Sequence, residues 1–332
     1  MSVYIIAEAG VNHNGRLDLA LKLCDAAKDA GVDAVKFQTW KTDNIVTMSA
    51  RQATYQRENT GVEENQYGML KKLELSYAQF EEIQQYCKKI GIDFLSTPDE
   101  EESLEFLMNT LHLPMVKIGS GEVTNIPYLR TIASYQKAII LSTGMSTLAQ
   151  IATAYDTLMK AGAPSVSLLH CTTNYPCPYE EVNLRAMQTL KDAFKCQVGY
   201  SDHTMGTEIS VAAVAMGAEI IEKHFTLDRN MEGPDHKASL EPQELKLMVQ
   251  QIRHIETALG DGIKCPYRSE AENAKVVQKS ILAKRPIKKG ELLTTDNLTV
   301  KRAGAGISSV HWDVVVGTQA QYDFDIDEPI RF

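Results

Sequence analysis

The sequence predicts an α/β protein: a closed barrel of eight parallel strands, each followed by a helix, in the (β/α)8 or TIM-barrel arrangement, with a small domain appended. Three observations carry this expectation. Eight short β-rich runs recur through the first 260 residues, each ending in polar residues and each followed by a helix-length amphipathic segment. The runs are apolar almost throughout, as expected for strands of a parallel sheet covered on both faces. After Gly260 the pattern gives way to short strands and turns. Eight units fit a closed barrel better than an open doubly wound sheet, and no Gly-x-Gly-x-x-Gly turn follows the first strand to favour a dinucleotide fold.

In order, the expected strands are Tyr4–Ala7, Ala34–Phe37, Asp93–Ser96, Met115–Ile118, Ala138–Ser142, Val166–His170, Gln197–Tyr200 and Ala218–Glu222. The helices that follow them are Arg16–Ala30, Tyr77–Ile90, Glu100–Asn109, Ile126–Ser134, Thr147–Ala161, Val182–Phe194, Thr207–Gly217 and Pro242–Leu259. One long polar interruption, Thr39 to Ser76, exceeds an ordinary βα loop and is expected to be a functional lid. Residues 1–260 are thus expected to form the barrel, 261–278 a connector and 279–332 a small domain, marginal alone and expected to dock on something.

Composition excludes several function classes. A formal charge of −9, with Lys and Arg nowhere concentrated, argues against non-specific nucleic-acid binding. No apolar stretch approaches the roughly 20 residues of a membrane span, and the start "MSVYIIAEAG" lacks the basic region of a signal peptide. The six cysteines show neither Cys-x-x-Cys spacing nor the density of a disulfide framework. A reduced, cytoplasmic protein is expected.

In such a barrel the chemistry belongs at the C-terminal strand ends. Those ends supply Glu8, Lys36 with Gln38, Thr97, Lys117 with Ser120 and Glu122, Ser142 with Thr143, His170 with Thr173 and Tyr175, Ser201 with His203, and Lys223 with His224. Strands seven and eight, joined by one helix, place His203 and His224 on one rim, which suggests a metal with nitrogen and oxygen ligands. Lys36 and Lys117 each close an apolar strand ("DAVKFQT", "PMVKIGSGE"). Two ammonium groups with several hydroxyls suit a small phosphate-bearing anion. Glu8 could be a metal ligand, a general base or a group that orients water. "NHNG" reads as a left-handed turn, including His13, and "GPDH" places Asp235 in the loop after the eighth strand, with His236 unassigned. Cys171 has no base placed beside it, so a nucleophilic role is not expected.

These residues resemble the sialic acid synthase family, through "AEAGVNHNG", "AVKFQT", "STP", "KIGSGE", "LSTGM", "LLHCTTNYPCPYEEVNL", "GYSDHT", "EKHFTLD", "GPDHKASLEP" and "IKKGELLTTDNLTVKR". The resemblance implies a barrel followed by a small antifreeze-like (SAF-type) domain. It implies a domain-swapped homodimer whose small domains help close the partner's site. It implies condensation of phosphoenolpyruvate with an N-acetylated hexosamine by C–O cleavage. His203 and His224 match ligands of a divalent metal, usually manganese, with magnesium or cobalt as alternatives, and His224 is counted with Glu8 as catalytic. Lys36, Thr97, Lys117, Ser120, Ser142, Thr173 and Ser201 match phosphoenolpyruvate-binding positions. Gln38, Asn59, Tyr175, Asp235 and Arg302 match sugar-binding positions, with Arg302 reaching across the dimer.

Three departures stand out. Thr173 occupies the place of an expected asparagine, although Asn174 is adjacent. "KRAG" replaces Lys-Arg-Pro-Gly, loosening the loop that presents Arg302. Asp99 stands where a phenylalanine commonly follows "STP". The sugar is expected to be N-acetylmannosamine, giving N-acetylneuraminate. The alternative is 2,4-diacetamido-2,4,6-trideoxymannose, giving N,N'-diacetyllegionaminate, with a pseudaminate synthase as a more distant third. A silent carbohydrate-binding protein and a Schiff-base aldolase are the readings from other classes.

Overall fold

The computed structural model describes residues 2–52, 57 and 65–332. The chain forms two compact units, Met1–Gly260 and Asp261–Phe332. In the first, eight parallel strands run β1 (Tyr4–Gly10), β2 (Ala34–Thr39), β3 (Asp93–Pro98), β4 (Met115–Ile118), β5 (Ala138–Ser142), β6 (Val166–His170), β7 (Val198–Asp202) and β8 (Ile220–His224). Their hydrogen-bonded order is β3-β2-β1-β8-β7-β6-β5-β4, and β3 packs beside β4 where the ring comes together. This is the expected barrel.

The helices follow the apolar periodicity and begin where capping side chains satisfy their first amides. Ser76 and Gln79 form a reciprocal cap on Tyr77–Ile90, and Thr147 and Gln150 do the same on Leu148–Lys160. Two helices differ from expectation. The third is α-helical over Glu101–Glu105 and widens to a π-turn over Phe106–Thr110. The sixth begins at Ala186 rather than Val182, because Asn183 takes φ +49 and cannot lie inside a right-handed helix.

Side-chain alternation along the strands builds the barrel interior in layers. Ile6, Ala34, Leu95, Ile140, Leu169 and Ile220 form a dry lower layer, with Tyr4 and Met115 packed against it. A methyl group on Gly199 would lie 2.2 Å from the Ile220 carbonyl oxygen, so glycine is what fits β7 here. Two residues further along the same faces come Glu8, Lys36, Thr97, Lys117, Ser142, Ser201 and Glu222, a polar layer that is almost wholly buried. The outward faces, including Ile5, Val35, Phe37, Val116, Leu141, Leu168 and Ile221, meet the surrounding helices in the main core. β1, β2, β3, β7 and β8 run further than expected because the ends expected to be loop are still strand, lining the upper barrel.

The ends of the long second connection are packed. Trp40, 2% exposed, clusters with Val11, Met69 and Leu73, and helices span Thr42–Ile45 and Gln66–Leu73. Asn59 lies outside the described residues.

In the second unit, β9 (Lys279–Ala283) pairs antiparallel with β10 (Leu298–Arg302), and Ile281, Ile287, Leu293, Leu298, Phe324 and Ile330 form its core. The expected connector carries a helix at Ala271–Val277, as its Ala, Glu and Lys content favours. Among the described residues, no helix is long and apolar enough to cross a membrane.

Candidate active site

A cavity of about 190 Å³ opens above the polar layer. Glu8, Lys36, Gln38, Thr97, Lys117, Ser120, Ser142, Thr173, Tyr175, Ser201, His203 and His224, all named from sequence, line it together. Asp235 is 9% exposed in the loop after β8 and is not among its lining residues. Arg302 belongs to the second unit, exposed on β10 opposite Lys279.

Sequence reading missed Glu222, the group around which the charges arrange. Its carboxylate lies 3.3 Å from the Lys117 ammonium and 3.6 Å from that of Lys36, and it accepts the Ser201 hydroxyl at 2.9 Å. The signal was present: Glu222 stands two residues before His224, on the same strand face. Lys36 also pairs with Glu8 at 2.6 Å and donates to Thr97 at 3.1 Å, while Lys117 donates to Ser142 at 2.8 Å. Gln38 donates to the other Glu8 oxygen at 3.2 Å.

The two carboxyl groups titrate apart. Burial pushes Glu8 up to about 7, against the pull of Lys36 and with the repulsion of Glu222. Burial acts on Glu222 too, but Lys117 and Lys36 hold it well below the usual carboxylate range. Such a separation gives one fixed anion and one carboxyl able to exchange a proton near neutrality. Burial lowers Lys117, whereas at Lys36 the same penalty is exceeded by Glu222 and Glu8. Asp99, half-buried on the rim, is pushed up to about 7 by burial and then by Glu122. Burial alone raises Asp235 to about 6.

Four strand-end residues do not reach the site. Lys223 has the opposite parity from His224: it faces out of the barrel, fully buried, paired with Asp202 at 3.0 Å. His170 engages the Val182 carbonyl at 2.7 Å, Thr143 donates to the Leu169 carbonyl, and Glu122 accepts from Asn125. The Cys171 thiol, 3.2 Å from the Ser120 hydroxyl, is pushed up by burial, so it is not a ready nucleophile.

The imidazoles fit a divalent cation. Burial lowers His203 to about 4 and His224 well below its ordinary value, so both rings are neutral. His203 Nδ1 lies 2.6 Å from the Thr172 carbonyl, which can only accept, so the ring proton sits there. Ser201, 3.3 Å from Nε2, sends its proton to Glu222, leaving the Nε2 lone pair free. Nδ1 of His224 is buried without a hydrogen-bond partner, and the two ring centres lie 5.7 Å apart. Among the described residues, no third His, Cys, Asp or Glu completes a ready-made metal cluster. Further positions would therefore fall to water and substrate, as in catalytic rather than structural sites.

Over 329 residues the chain is 54% identical to the N,N'-diacetyllegionaminic acid synthase of Campylobacter jejuni, covering 98% of each chain. It is 46% identical to the Legionella pneumophila protein of the same name, covering 96% of this chain and 90% of that one. The crystal structure of N-acetylneuraminic acid (sialic acid) synthetase from Leptospira borgpetersenii, in complex with citrate, superposes with a TM-score of 0.71. It shares 37% identity, over 83% of this chain and 91% of that one. The SAF domain model matches residues 278–332, and the NeuB family model matches residues 23–264. The chain belongs to the NeuB family.

Proposed function

We propose that this chain condenses phosphoenolpyruvate with 2,4-diacetamido-2,4,6-trideoxymannose and water, giving N,N'-diacetyllegionaminate and phosphate. The observation that carries the reaction class is the cavity itself: two buried lysines braced on Glu222, beside two neutral imidazoles and a proton-exchanging Glu8. The choice of sugar rests on the relatives at 54% and 46% identity, which share one name. N-Acetylmannosamine, placed first from sequence, becomes the second reading, favoured by the 37% identical Leptospira synthetase.

Phosphoenolpyruvate carries a phosphate and a carboxylate, and neither is held tightly by solvated lysines at a surface. Lys36 and Lys117 present their charges where water is largely excluded, so each is worth more. Hydroxyls of Thr97, Ser120 and Ser142 line the same cavity and can donate to the remaining oxygens, while Ser201 keeps its proton on Glu222. The Tyr175 ring, 4.2 Å from that of His203, walls the sugar side. In the proposed reaction the C2–C3 double bond supplies the electron pair that joins C3 to the aldehyde carbon. The aldehyde C=O π pair moves onto oxygen, and that oxygen takes up a proton equivalent to the one released when water adds at C2. Water then adds at C2, and phosphate leaves with the electrons of the C2–O bond. Glu8, its carboxyl pushed up toward neutrality by burial, holds the water or hydroxyl and takes its proton. A divalent cation held by His203 and His224, manganese before magnesium or cobalt, supplies Lewis-acid polarisation of the aldehyde oxygen when bound. The active species in this proposal is a domain-swapped homodimer, with the partner subunit's Arg302 completing the sugar site.

A Schiff-base aldolase is disfavoured because both lysines face carboxylates rather than an apolar wall. The test is phosphate release from phosphoenolpyruvate with manganese, comparing the two sugars, before and after chelation. A kcat/KM at least about tenfold higher with the diacetamido sugar supports the proposal, since this equals about 1.4 kcal/mol of transition-state discrimination. The reverse order makes the chain an N-acetylneuraminate synthase, and release from neither sugar leaves a binding protein.

A further inference from the structure

We propose that His236 is a positioning residue: through Asn14 and Thr226 it latches the loop that carries Asp235 onto the turn after β1. The inference rests, for its kinetic consequence, on the proposed reaction and on the sugar-binding role that the family resemblance gives Asp235, but not for the latch.

Beyond β8 the chain leaves the barrel at Phe225 and returns at Leu240, the two forming a parallel bridge. The loop between them would be free to swing, yet His236 within it is fully buried. Its Nε2 lies 3.1 Å from Asn14 Oδ1 and its Nδ1 2.6 Å from Thr226 Oγ1. Asn14 meanwhile donates its amide to the Glu232 carbonyl at 2.8 Å, so its Oδ1 must be what faces the ring. An amide oxygen can only accept. The His236 proton therefore sits on Nε2, and the Thr226 hydroxyl, 2.6 Å from Nδ1 and 3.2 Å from the Asp228 carbonyl, donates to the nearer ring nitrogen. One neutral ring thus ties both ends of the loop to Asn14.

Two further observations point the same way. Gly233 adopts φ +155, and a methyl group there would lie 2.6 Å from the His236 ring and 2.9 Å from Asn14 Oδ1. The loop is thus folded down onto the contact as closely as glycine allows. Asn12 makes a second clasp. It donates to Ser239 Oγ at 2.9 Å, and Ser239 donates to the Asp235 carbonyl at 2.7 Å. A left-handed turn accounts for the backbone of Asn14, at φ +52, but not for two side-chain amides reaching across to the last loop of the barrel. Those amides register Asp235 against the same turn that follows Glu8.

The experiment compares N14A, H236A, H236Q and the double variant N14A/H236A with the native enzyme. Hydrogen exchange over residues 227–239 is read beside separate KM values for sugar and phosphoenolpyruvate. The latch predicts faster exchange in N14A and H236A. It predicts a sugar KM raised at least about tenfold, a phosphoenolpyruvate KM changed less than about twofold, and partial rescue in H236Q, which keeps an N–H donor. The double variant should be no worse than the worse single one, because the pair acts as one contact. Unchanged exchange in N14A overturns the latch outright, and because Asn14 takes φ +52 the same reading is required of H236A, which leaves that turn's backbone intact. Faster exchange with both KM values raised alike makes the contact merely structural and overturns the positioning role. A native enzyme inactive on every sugar removes the proposed reaction, and the exchange result still decides the latch.

Discussion

Replacing Glu222 with glutamine tests the electrostatic account of the site most directly. At 3.3 Å and 3.6 Å, the attractions to Lys117 and Lys36 are each roughly 5 kcal/mol gross at an effective dielectric of about 20. Glutamine keeps the shape, and its oxygen can still accept from Ser201, so the substitution isolates charge. Lys36 retains Glu8. The loss falls on Lys117, whose ion pair among the described residues is with Glu222. Removing one partner of such a buried pair costs about 3–5 kcal/mol net. For a unit of this size about 2 °C follows from each kcal/mol, so Tm should fall by about 6–10 °C. Phosphoenolpyruvate replaces the missing negative charge. Its protective shift in a thermal melt should therefore be larger in E222Q than in the native protein, at equal ligand concentration. A variant melting within about 1 °C of native, or protected less by phosphoenolpyruvate, would refute the idea that Glu222 is the counter-charge holding the lysines ready.

Three other outcomes follow from the same geometry. Glu8→Gln should lower kcat at least about a hundredfold while manganese binding, read by paramagnetic resonance, is retained; unchanged turnover removes Glu8 from the mechanism. Asp235→Asn should stabilise the protein at high pH. Burial raises the carboxyl from 3.8 to about 6, so the folded state binds the proton more tightly than the unfolded one. Stability is then lost as pH rises through that window, by up to about 3 kcal/mol above it. The variant should melt higher than native at pH 8 and equal to it at pH 4, and equal melting at both would contradict the burial penalty. Mixing E8Q chains with R302A chains and allowing exchange should restore about a quarter of native activity, because half the dimers regain one complete site. No recovery after confirmed exchange would exclude the swapped arrangement.

What was legible in the sequence follows the physics of the parallel strand. Apolar runs closing on Lys36 and Lys117 announced buried charge, because an ammonium at the end of such a run has no solvent beside it. Thr97, Ser142 and Ser201 followed from the same reasoning. The errors come from parity. In "IIEKHF" the ear catches the basic pair, yet Ile220, Glu222 and His224 share the inner face while Lys223 looks outward to Asp202. A one-residue shift in that reading exchanges a catalytic-layer carboxylate for a structural lysine. Asn14 and His236 were illegible for another reason: their partners lie 222 residues apart, and no local pattern couples two loops.

The sequence leaned only slightly to N-acetylmannosamine because the quoted motifs surround what both sugars share, whereas the relatives at 54% and 46% identity favour the diacetamido sugar. The two sugars differ at C4 and C6, so discrimination belongs to side chains above the polar layer rather than in it. The fold supports that division. The lower layer is apolar and supports the barrel, whereas the layer above concentrates Glu8, Lys36, Lys117 and Glu222 at a burial that hydrophobic residues would tolerate more cheaply. Ion pairs so placed are weak grounds for stability and strong grounds for a charged ligand. Reaction class is therefore written in the strands, and substrate identity in the loops above them, where Asp235 sits.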